Sequence, residues 1–415
     1  MVISIETLAM VGFMLLAFFS QPLGFGFLAE AMTVLFLTYI ILYLLQAKTL
    51  PHFMRKMGLH IFLLIVVGLV GNICSGVERP QLAIVLDILY LVKVFICFNG
   101  AYLLFCNSKD KVNTIETLAF IARIIIFVAF VCMLVGFVTD IGMTDDVRYG
   151  IPSFKFIFDS SAWLSQYWIL IVIILTAERQ FVRKTKNNIF LAMAFVIWAM
   201  TLRSRAFAIM AIYFVLWMLM IRGNKVQDLK KHIFKFRNIV LIILLVVVIA
   251  YDQIDNYFTG GKVTARFLLL ETGFKILKNQ FPIGTGLATF GTEMARRYYS
   301  PIYYNYGLNS FWALREGGSE LTDCYWPAIF GEFGVIGTIL VLCIIWKMIK
   351  ECIDGTKEEK YLFFSVLVYL AYLVISSTVT AIFASDVTAL YMVIIAYLCT
   401  NNKSNGDYYE YNSVV

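Results

Sequence analysis

Two arginines in a short polar turn are the first residues of this chain that could do chemistry. Arg203 and Arg205 lie in the segment Thr201-Leu-Arg-Ser-Arg, which separates two apolar segments. A guanidinium group matches the geometry of a phosphate and binds it through paired hydrogen bonds. We therefore predict that this turn binds a lipid phosphate at a membrane surface. Ordinary snorkelling of both side chains to the headgroups is the alternative.

Arg266 is a second candidate for binding an anion. It lies in the first turn of a predicted helix, Ala265–Asn279. Free backbone N–H groups and the helix dipole favour anions at that end of a helix, so a cation there is unfavourable on its own. An arginine at this position is favourable if a phosphate binds between its guanidinium group and the N–H groups at the helix start. The alternative is a solvated loop charge.

Lys93 is an ionisable residue near the middle of the long apolar segment Leu82–Phe105. Such residues inside a membrane are costly and by default indicate a functional site. Asp87 lies six residues earlier, nearly two helical turns away and not quite on the same face. Two interpretations therefore stay open for Lys93, which are contact with a substrate and a structural ion pair.

Two acidic residues, Glu320 and Asp323, precede the apolar segment that begins at Trp326. We expect Asp323 at the membrane boundary, where partial loss of water raises the pKa of a carboxyl group and suits it to act as a general base. Glu320 is the substitute for this role. The alternative for Asp323 is capping of the helix that follows.

An aromatic cluster lies upstream of these acids. Its members Tyr299, Tyr303 and Tyr304 could stack on sugar rings. They could equally form an interfacial aromatic belt at the membrane surface. The composition of this segment does not decide between the two interpretations.

The elements that must position these residues are membrane-spanning helices. The chain of 415 residues is 61% hydrophobic and only 15% charged, whereas a soluble domain is about 25% charged. Apolar segments long enough to cross a ~30 Å hydrocarbon core recur along its length. We predict an all-α polytopic membrane protein with about twelve transmembrane helices. The predicted spans are Ile3–Ser20, Phe27–Gln46, Leu59–Gly76, Leu82–Phe105, Thr117–Val138, Ala162–Thr176, Ile189–Leu202, Ala206–Ile221, Ile239–Tyr251, Trp326–Met348, Leu362–Ala381 and Val387–Thr400.

Basic residues in the short loops predict the orientation. Lysines and arginines are concentrated in alternate loops, and the intervening loops hold few of them. Because cytoplasmic loops carry the excess of basic residues, both termini are predicted on the cytoplasmic side of the membrane. The chain then divides into a transmembrane bundle of nine spans at 1–252, a large extracytoplasmic loop at 253–325, three further spans at 326–400 and a disordered cytoplasmic tail at 401–415.

The predicted loop is too long to be a simple connector. Its segment Ala265–Asn279 is predicted to form an amphipathic helix that Thr264 can cap. Four apolar residues at helical spacing form one face of it, namely Phe267, Leu270, Phe274 and Leu277. The following stretch Pro282-Ile-Gly-Thr-Gly286 is predicted to be a turn.

Other classes of protein and site are disfavoured by the composition. The net charge of +7 comes mostly from basic residues between spans, so membrane orientation explains it and no nucleic-acid partner is predicted. The eight cysteines are scattered without a CxxC pair, and the three histidines lie in or beside predicted cytoplasmic turns. We therefore predict no metal site and no cofactor.

In order and spacing, these features resemble the O-antigen polymerase and ligase family of bacterial surface-polysaccharide assembly. The residues that carry the resemblance span roughly Trp198 to Leu342. They are the Ser-Arg at 204–205, Arg266 at the start of an amphipathic helix, the Pro-x-Gly-x-Gly turn at 282–286, and Asp323-Cys-Tyr-Trp326 followed by Gly331-Glu-Phe-Gly-Val-Ile-Gly337. The remainder of the chain is similar to the family only in hydropathy.

The resemblance implies a membrane glycosyltransferase that polymerises repeat units of a surface polysaccharide such as O-antigen, capsule or exopolysaccharide. The implied donor is a glycan on undecaprenyl pyrophosphate in the outer leaflet, and the acceptor is a second lipid-linked unit. In this mechanism, which needs no metal, Arg205 and Arg266, helped by Arg203 and Lys93, stabilise the leaving pyrophosphate. Asp323 or Glu320 accepts the proton of the attacking hydroxyl. Membrane lipid, a chain-length regulator and a flippase of the same pathway are the further partners expected.

One departure from the family's pattern bears on the activity. Ligases of the family often carry a His-Asn pair where this chain has Asp323-Cys324, which favours polymerisation. A ligase that transfers glycan to another acceptor remains an alternative, as do a lipid-linked oligosaccharide flippase and a structural or receptor membrane protein. A flippase predicts polar residues along many spans, and these spans are nearly all apolar.

Overall fold

The computed structural model describes residues 4–108, 110–139, 141–181, 185–222 and 264–400, and these are mostly helical. The helices before the long loop are α1 Ile5–Phe19, α2 Leu28–Leu45, α3 His52–Ser75, α4 Gln81–Phe105, α5 Lys111–Val138, α6 Ser161–Glu178, α7 Thr185–Ala199 and α8 Ser204–Arg222. The later helices are α9 Ala265–Asn279, α10 Glu293–Arg297, α11 Pro301–Asn305, α12 Tyr325–Gly355, α13 Lys360–Ser376 and α14 Asp386–Cys399, with 3₁₀ turns at Leu308–Ser310 and Ile382–Ala384.

Seven of the described helices are long and apolar enough to cross a membrane, and four shorter apolar helices accompany them. Each of these helices coincides with one of the predicted spans to within several residues. The predicted ninth span, Ile239–Tyr251, lies outside the described residues. The chain is therefore a membrane-embedded, mainly helical protein.

Burial sorts the helices into an inner and an outer set. In the most apolar 18-residue stretch of α6, 83% of the residues are buried inside the protein. The corresponding values are 17% in α2 and 22% in α3. Leucine, valine and phenylalanine side chains remain exposed along the outer helices. Such continuous apolar surface is incompatible with water and fits acyl chains. The centre of the bundle is consequently built on α6, with α4 and α14 packed together beside it.

A small hairpin between α5 and α6 was not predicted. Strands β1 Thr144–Arg148 and β2 Ile151–Phe154 pair antiparallel. The two residues between them, Tyr149 and Gly150, have φ values of 53° and 79°, as a tight type I′ turn requires. Phe154 donates its N–H to the carbonyl of Met200 at 2.8 Å, so the hairpin lies against the turn between α7 and α8. The hairpin is a small addition to a structure that is otherwise helical, as the sequence predicts.

Segment 264–324 is folded and has an apolar core of its own. The core residues include Leu269 and Ile276 from α9, and also Phe290, Tyr303 and Leu314. Thr264 caps α9 by accepting the N–H of Phe267, as the sequence predicts. This segment, which we call the loop unit, packs against α12 through α9 and against α4 through α10.

Helix α12 is broken at Gly334, whose φ of 59° and ψ of −155° are not helical. The break leaves the carbonyls of Gly331 and Glu332 without their helical donors. These carbonyls instead accept the N–H groups of Thr285 and Gly286 at 2.8 and 2.9 Å. The turn of the loop unit thus fills hydrogen bonds that the broken helix lacks.

The exchange of hydrogen bonds at this break is reciprocal. Val335 and Ile336 donate their N–H groups to the carbonyl of Pro282 at 3.0 and 3.3 Å. On the other side of the turn, a Cβ atom added at Gly71 of α3 would lie 2.8 Å from the backbone nitrogen of Gly286. The turn is therefore enclosed between α3 and α12, and it fits only because glycine leaves room there.

Substitution of Gly284 tests this contact. A Cβ atom at Gly284 would lie 2.5 Å from the carbonyl carbon of Glu332, and the nearest atoms are all backbone of α12 rather than a flexible side chain that could give way. We expect Gly284→Ala to lower the free energy of unfolding by about 3 kcal/mol. The measurement is unfolding of purified protein in mixed micelles titrated with SDS.

Gly58→Ala in α3 is the matched control. No atom lies within 4 Å of a Cβ added there, so the change is expected to be neutral or stabilising by up to ~1 kcal/mol. Equal stability of the two variants would contradict the enclosed turn.

Candidate functional site

A cavity of about 780 Å³ lies where the loop unit meets the helix bundle. Its walls come from the α1–α2 turn, the middle of α4, the start of α6, the loop unit and the turn before α14. These connecting segments were all predicted on the same side of the membrane. The cavity therefore opens at the end of the bundle that we predict to be extracytoplasmic. A smaller cavity of about 320 Å³ between α1 and α2 has an almost wholly apolar lining and offers no chemistry.

Three of the predicted site residues line this cavity, namely Lys93, Arg205 and Asp323. A fourth, Arg266, reaches it indirectly, because its Nη2 atom lies 3.1 Å from Oδ2 of Asp323. Residues from α4, α8, α9 and the segment before α12 thus meet at one place. Their sequence separations are large, so only the packing of the loop unit on the bundle brings them together.

Asp323 is positioned by the short segment that joins the loop unit to α12. Its side chain is half-buried, and burial raises the pKa of its carboxyl group, although the Arg266 guanidinium partly offsets this shift. Burial and the nearby charge of Asp323 also raise the pKa of Glu320. A carboxylate with a raised pKa at the wall of a cavity has the properties of a general base.

Arg205 begins α8 and points towards the cavity. Within the described residues, its Nη1 atom is buried and has no hydrogen-bond partner. Its guanidinium carbon lies 6.0 Å from the centre of the Tyr372 ring, at the limit of a cation–π contact. Because a buried guanidinium N–H without a partner is costly, this atom is suited to receive an anionic ligand.

Arg203 is placed differently from its neighbour. Its Nε atom donates to Oγ of Ser161 at 2.9 Å, and its Nη2 atom lies 3.5 Å from Oδ2 of Asp145 in the hairpin. Arg203 does not line the cavity. These contacts hold the hairpin to the start of α6, whereas the predicted role of Arg203 in binding phosphate would require it to reach the cavity.

Lys93 is fully buried and forms ion pairs with two residues of other helices. It contacts Asp386 at the start of α14, and its Nζ atom lies 3.4 Å from Oε1 of Glu30 in α2. The ammonium group also lies 4.1 Å from the centre of the Tyr90 ring. Of the two interpretations left open above, the structure contains the ion pair, and Asp87 is not its partner.

Asp87 instead pairs with Glu332, a contact that was not predicted. The two carboxyl groups are fully buried and lie close together between α4 and α12, and within the described residues Oδ1 of Asp87 and Oε2 of Glu332 have no other hydrogen-bond partner. Like charges in direct contact away from water cannot both be ionised, so the pair holds a proton. An acidic residue inside an apolar segment could have indicated from the sequence that each of the two is special. Their pairing could not be predicted, because it depends on how the helices pack.

This carboxyl pair also holds the loop unit. Asp87 accepts the N–H of Ala288 at 2.9 Å. Oε1 of Glu332 accepts the N–H groups of Thr289 and Phe290 at 2.8 and 3.1 Å, and the hydroxyl of Thr292 at 3.1 Å. The stretch 288–292 is thereby fixed to the bundle beside the cavity.

The predicted sugar-binding tyrosines belong mainly to the core of the loop unit. Tyr303 is fully buried and accepts the N–H of Gly291, so its ring is not accessible to a sugar in this arrangement, contrary to what we expected. Tyr299 donates its hydroxyl to the carbonyl of Leu314 and, like Tyr303, does not line the cavity. Tyr304 is exposed and also lies away from the cavity. The aromatic rings that do line it are Tyr90, Trp163, Tyr167 and Tyr325 together with Phe25 and Phe333.

The lining carries more carboxyl groups than cations. Two cations, Lys93 and Arg205, stand against five carboxyl groups, which are those of Asp87, Glu293, Asp323, Glu332 and Asp386. Carboxyl and aromatic groups suit a ligand rich in hydroxyl groups, and Arg205 is the place where an anionic group fits. Among the described residues, no group of three or more histidine, cysteine or acidic side chains is arranged to hold a metal ion.

The shared proton gives a test of the carboxyl pair. In Glu332→Gln, the amide oxygen can accept the same three donors and the amide N–H can replace the shared proton. We therefore expect the free energy of unfolding to change by less than ~1 kcal/mol, whereas Glu332→Leu leaves those donors unpaired and costs about 3 kcal/mol or more. Unfolding in SDS-titrated micelles measures both, and similar losses in the two variants would contradict this arrangement.

The function of the cavity rests on its own residues, because no protein-family model and no curated protein matches the chain. The resemblance to the O-antigen polymerase and ligase family rests on the segments quoted above.

Proposed function

We propose that the protein polymerises lipid-linked oligosaccharide repeat units into a surface polysaccharide at the outer face of the bacterial cytoplasmic membrane. The observation that carries the proposal is the meeting of Arg205 and the Arg266–Asp323 pair at one cavity. A cation with an unpartnered N–H and a carboxylate with a raised pKa are what glycosyl transfer from a pyrophosphate donor needs.

The proposal includes the predicted topology. Twelve spans, with both termini in the cytoplasm and the loop 253–325 outside, put the cavity within reach of the outer leaflet. Two features support it, namely the alternation of basic residues and the fact that the connecting segments at the cavity share one end of the bundle. A donor anchored in that leaflet by its lipid then reaches the cavity from the side of the membrane.

The proposed reaction is a direct displacement. A hydroxyl group of the acceptor glycan attacks the anomeric carbon of the donor, and the bond from that carbon to the pyrophosphate oxygen breaks. Asp323 accepts the proton of the hydroxyl, and undecaprenyl pyrophosphate leaves with the bonding electrons. A single displacement inverts the configuration of the anomeric carbon.

The cations differ in what they can do for the leaving group. Arg205 has a free N–H to offer to the pyrophosphate, which is where negative charge develops. Arg266 is already bound to Asp323 and thus controls the charge of the base as well. Lys93 is neutralised by Asp386 and Glu30, so we assign it to holding the cavity wall.

The remaining lining suits the sugars. Trp163 is 40% exposed and presents a ring at the start of α6, where a sugar face can pack. Asp386 and Glu293 offer carboxylate oxygens that accept hydrogen bonds from sugar hydroxyls. We propose these residues in place of the tyrosines of the loop unit.

A flippase for lipid-linked oligosaccharides is the second candidate. Lys93 lies inside a span and forms ion pairs with Glu30 and Asp386, which lie near the ends of two other helices, and transporters often place residues that couple to protons or ions inside spans. The two functions are distinguished by the glycan that accumulates when the protein is absent. A strain that lacks a polymerase displays single repeat units outside, whereas a strain that lacks a flippase retains them in the cytoplasmic leaflet. A ligase defect leaves long lipid-linked chains that are not transferred.

Arg205 and Arg203 form a matched pair for testing the site. We expect Arg205→Ala to reduce polymerisation roughly 100-fold or more, because it removes the donor to the leaving pyrophosphate. Arg203→Ala should retain polymerisation within a few-fold, since the side-chain contacts that Arg203 makes among the described residues are to the hairpin and α6. The readout is gel analysis of surface and lipid-linked glycan in a deletion strain, with equal expression verified. Equal loss in both variants would refute the assignment.

The pH dependence of turnover tests Asp323 and Arg266 together. A base must be ionised, so turnover should fall as the pH drops through the raised pKa of Asp323. Arg266→Gln removes the charge that lowers this pKa, and the acidic limb should move to higher pH. Asp323→Asn should reduce turnover by about 10²- to 10⁴-fold at every pH. A profile of Arg266→Gln that is lowered but not shifted would exclude the role of Arg266 on the base.

A further inference from the structure

Helix α9 turns its predicted apolar face outward. The stripe consists of Phe267, Leu270, Phe274 and Leu277, and Phe281 continues it four residues later. Phe267 is 37% exposed, Phe274 is 51% exposed and Phe281 is 70% exposed. Apolar side chains at helical spacing usually face a core. Here, the described residues leave the stripe partly uncovered, most of all at Phe274 and Phe281.

A different face of α9 packs against the protein. Leu269 and Ile276 are buried, and a Cβ atom added at Gly273 would lie 3.1 Å from the carbonyl oxygen of Pro327 in α12. The third face carries charge, with Lys275 and Glu271 forming an exposed ion pair at 2.8 Å. The helix thus has one face that packs on the protein, one charged face that is exposed to water, and one apolar face that neither the protein core nor water suits.

The stripe is continuous with the lipid-facing surface of the bundle. The ring of Phe274 stacks on Phe330 of α12 at 5.1 Å, and Phe330 lies 6.2 Å from Trp326. Trp326 donates its indole N–H to Ser377, directly after the end of α13. This aromatic row therefore lies at the level of the helix ends, where aromatic residues concentrate at membrane interfaces.

Further along α12, the exposed apolar residues lie within a membrane span. Ile336, Ile339 and Trp346 are 41%, 55% and 64% exposed, as expected for side chains that face acyl chains. The apolar surface of α9 begins where this surface ends. A common occupant for both surfaces is lipid.

We propose that α9 is an interfacial helix that lies in the membrane leaflet at this end of the bundle. Phe267, Phe274 and Phe281 insert among the acyl chains, and Lys275 faces water. The same pattern of apolar and charged faces holds other amphipathic helices at the boundary between headgroups and acyl chains. The inference goes beyond the proposed function and does not depend on the reaction.

Anchoring of α9 has a consequence for the site. Arg266 lies in the first turn of this helix and binds Asp323, so the depth of α9 sets the height of that ion pair relative to the headgroups. A group held at that height meets the phosphates of any lipid that approaches the cavity from the side.

Cysteine labelling tests the proposal with two neighbouring positions. Phe274 is 51% exposed and the side chain of Lys275 is 55% exposed, so protein packing alone predicts equal reactivity. We expect a water-soluble maleimide to label Phe274→Cys roughly tenfold or more slowly than Lys275→Cys, because a thiol in an apolar environment does not ionise. The full chain is labelled in open membrane fragments, so both membrane sides are reached. Labelling is quantified on the peptide that carries each position, which separates it from the eight native cysteines.

Phe281→Cys, outside the helix, is a second variant in case Phe274→Cys does not fold, and it should also label slowly. After denaturation in SDS, all three positions should label equally. Equal rates in membranes at 274, 281 and 275 would overturn the proposal. So would slow labelling of 274 and 281 that becomes fast in nanodiscs containing a single copy, because the cover would then be another protein.

Discussion

The break of helix α12 at Gly334 is the constraint on which the rest of the structure depends. Inside a membrane, each backbone group without a partner costs several kcal/mol, so a broken span persists only if something supplies the missing hydrogen bonds. The turn at 282–286 supplies them, since it donates to the carbonyls of Gly331 and Glu332 and accepts from Val335. The loop unit and the bundle are consequently held in one fixed arrangement.

The cavity follows from that arrangement. The turn continues into the stretch 288–292, which the Asp87–Glu332 pair fixes to α4 and α12 as one wall. The other end of the loop unit leads through Asp323 into α12, and α9 brings Arg266 against it. Arg205 reaches the same space from α8. Groups that are far apart in the chain therefore meet at one cavity.

Span positions were predictable, but pairings between spans were not. The predicted span Leu82–Phe105 matches α4 to one residue at its start, because the thickness of the bilayer constrains the length of any apolar helix. Lys93 and Asp323 were predicted as candidate site residues from their types and positions, and both line the cavity. The partners of Lys93 and the carboxyl pair could not be predicted, because they depend on helix packing. The apolar residues of α9 were identified from their spacing, but periodicity does not distinguish a face that meets lipid from one that meets a protein core. The hairpin and the buried Tyr303 depend on tertiary contacts that local patterns do not reveal.

Reconstitution of the purified protein in liposomes with undecaprenyl-pyrophosphate-linked repeat units of its host tests the central claim most directly. We expect long glycan chains on undecaprenyl pyrophosphate, with one free undecaprenyl pyrophosphate released for every glycosidic bond formed. Repeat units that cross the bilayer while remaining single, without release of undecaprenyl pyrophosphate, would contradict polymerisation and favour a flippase.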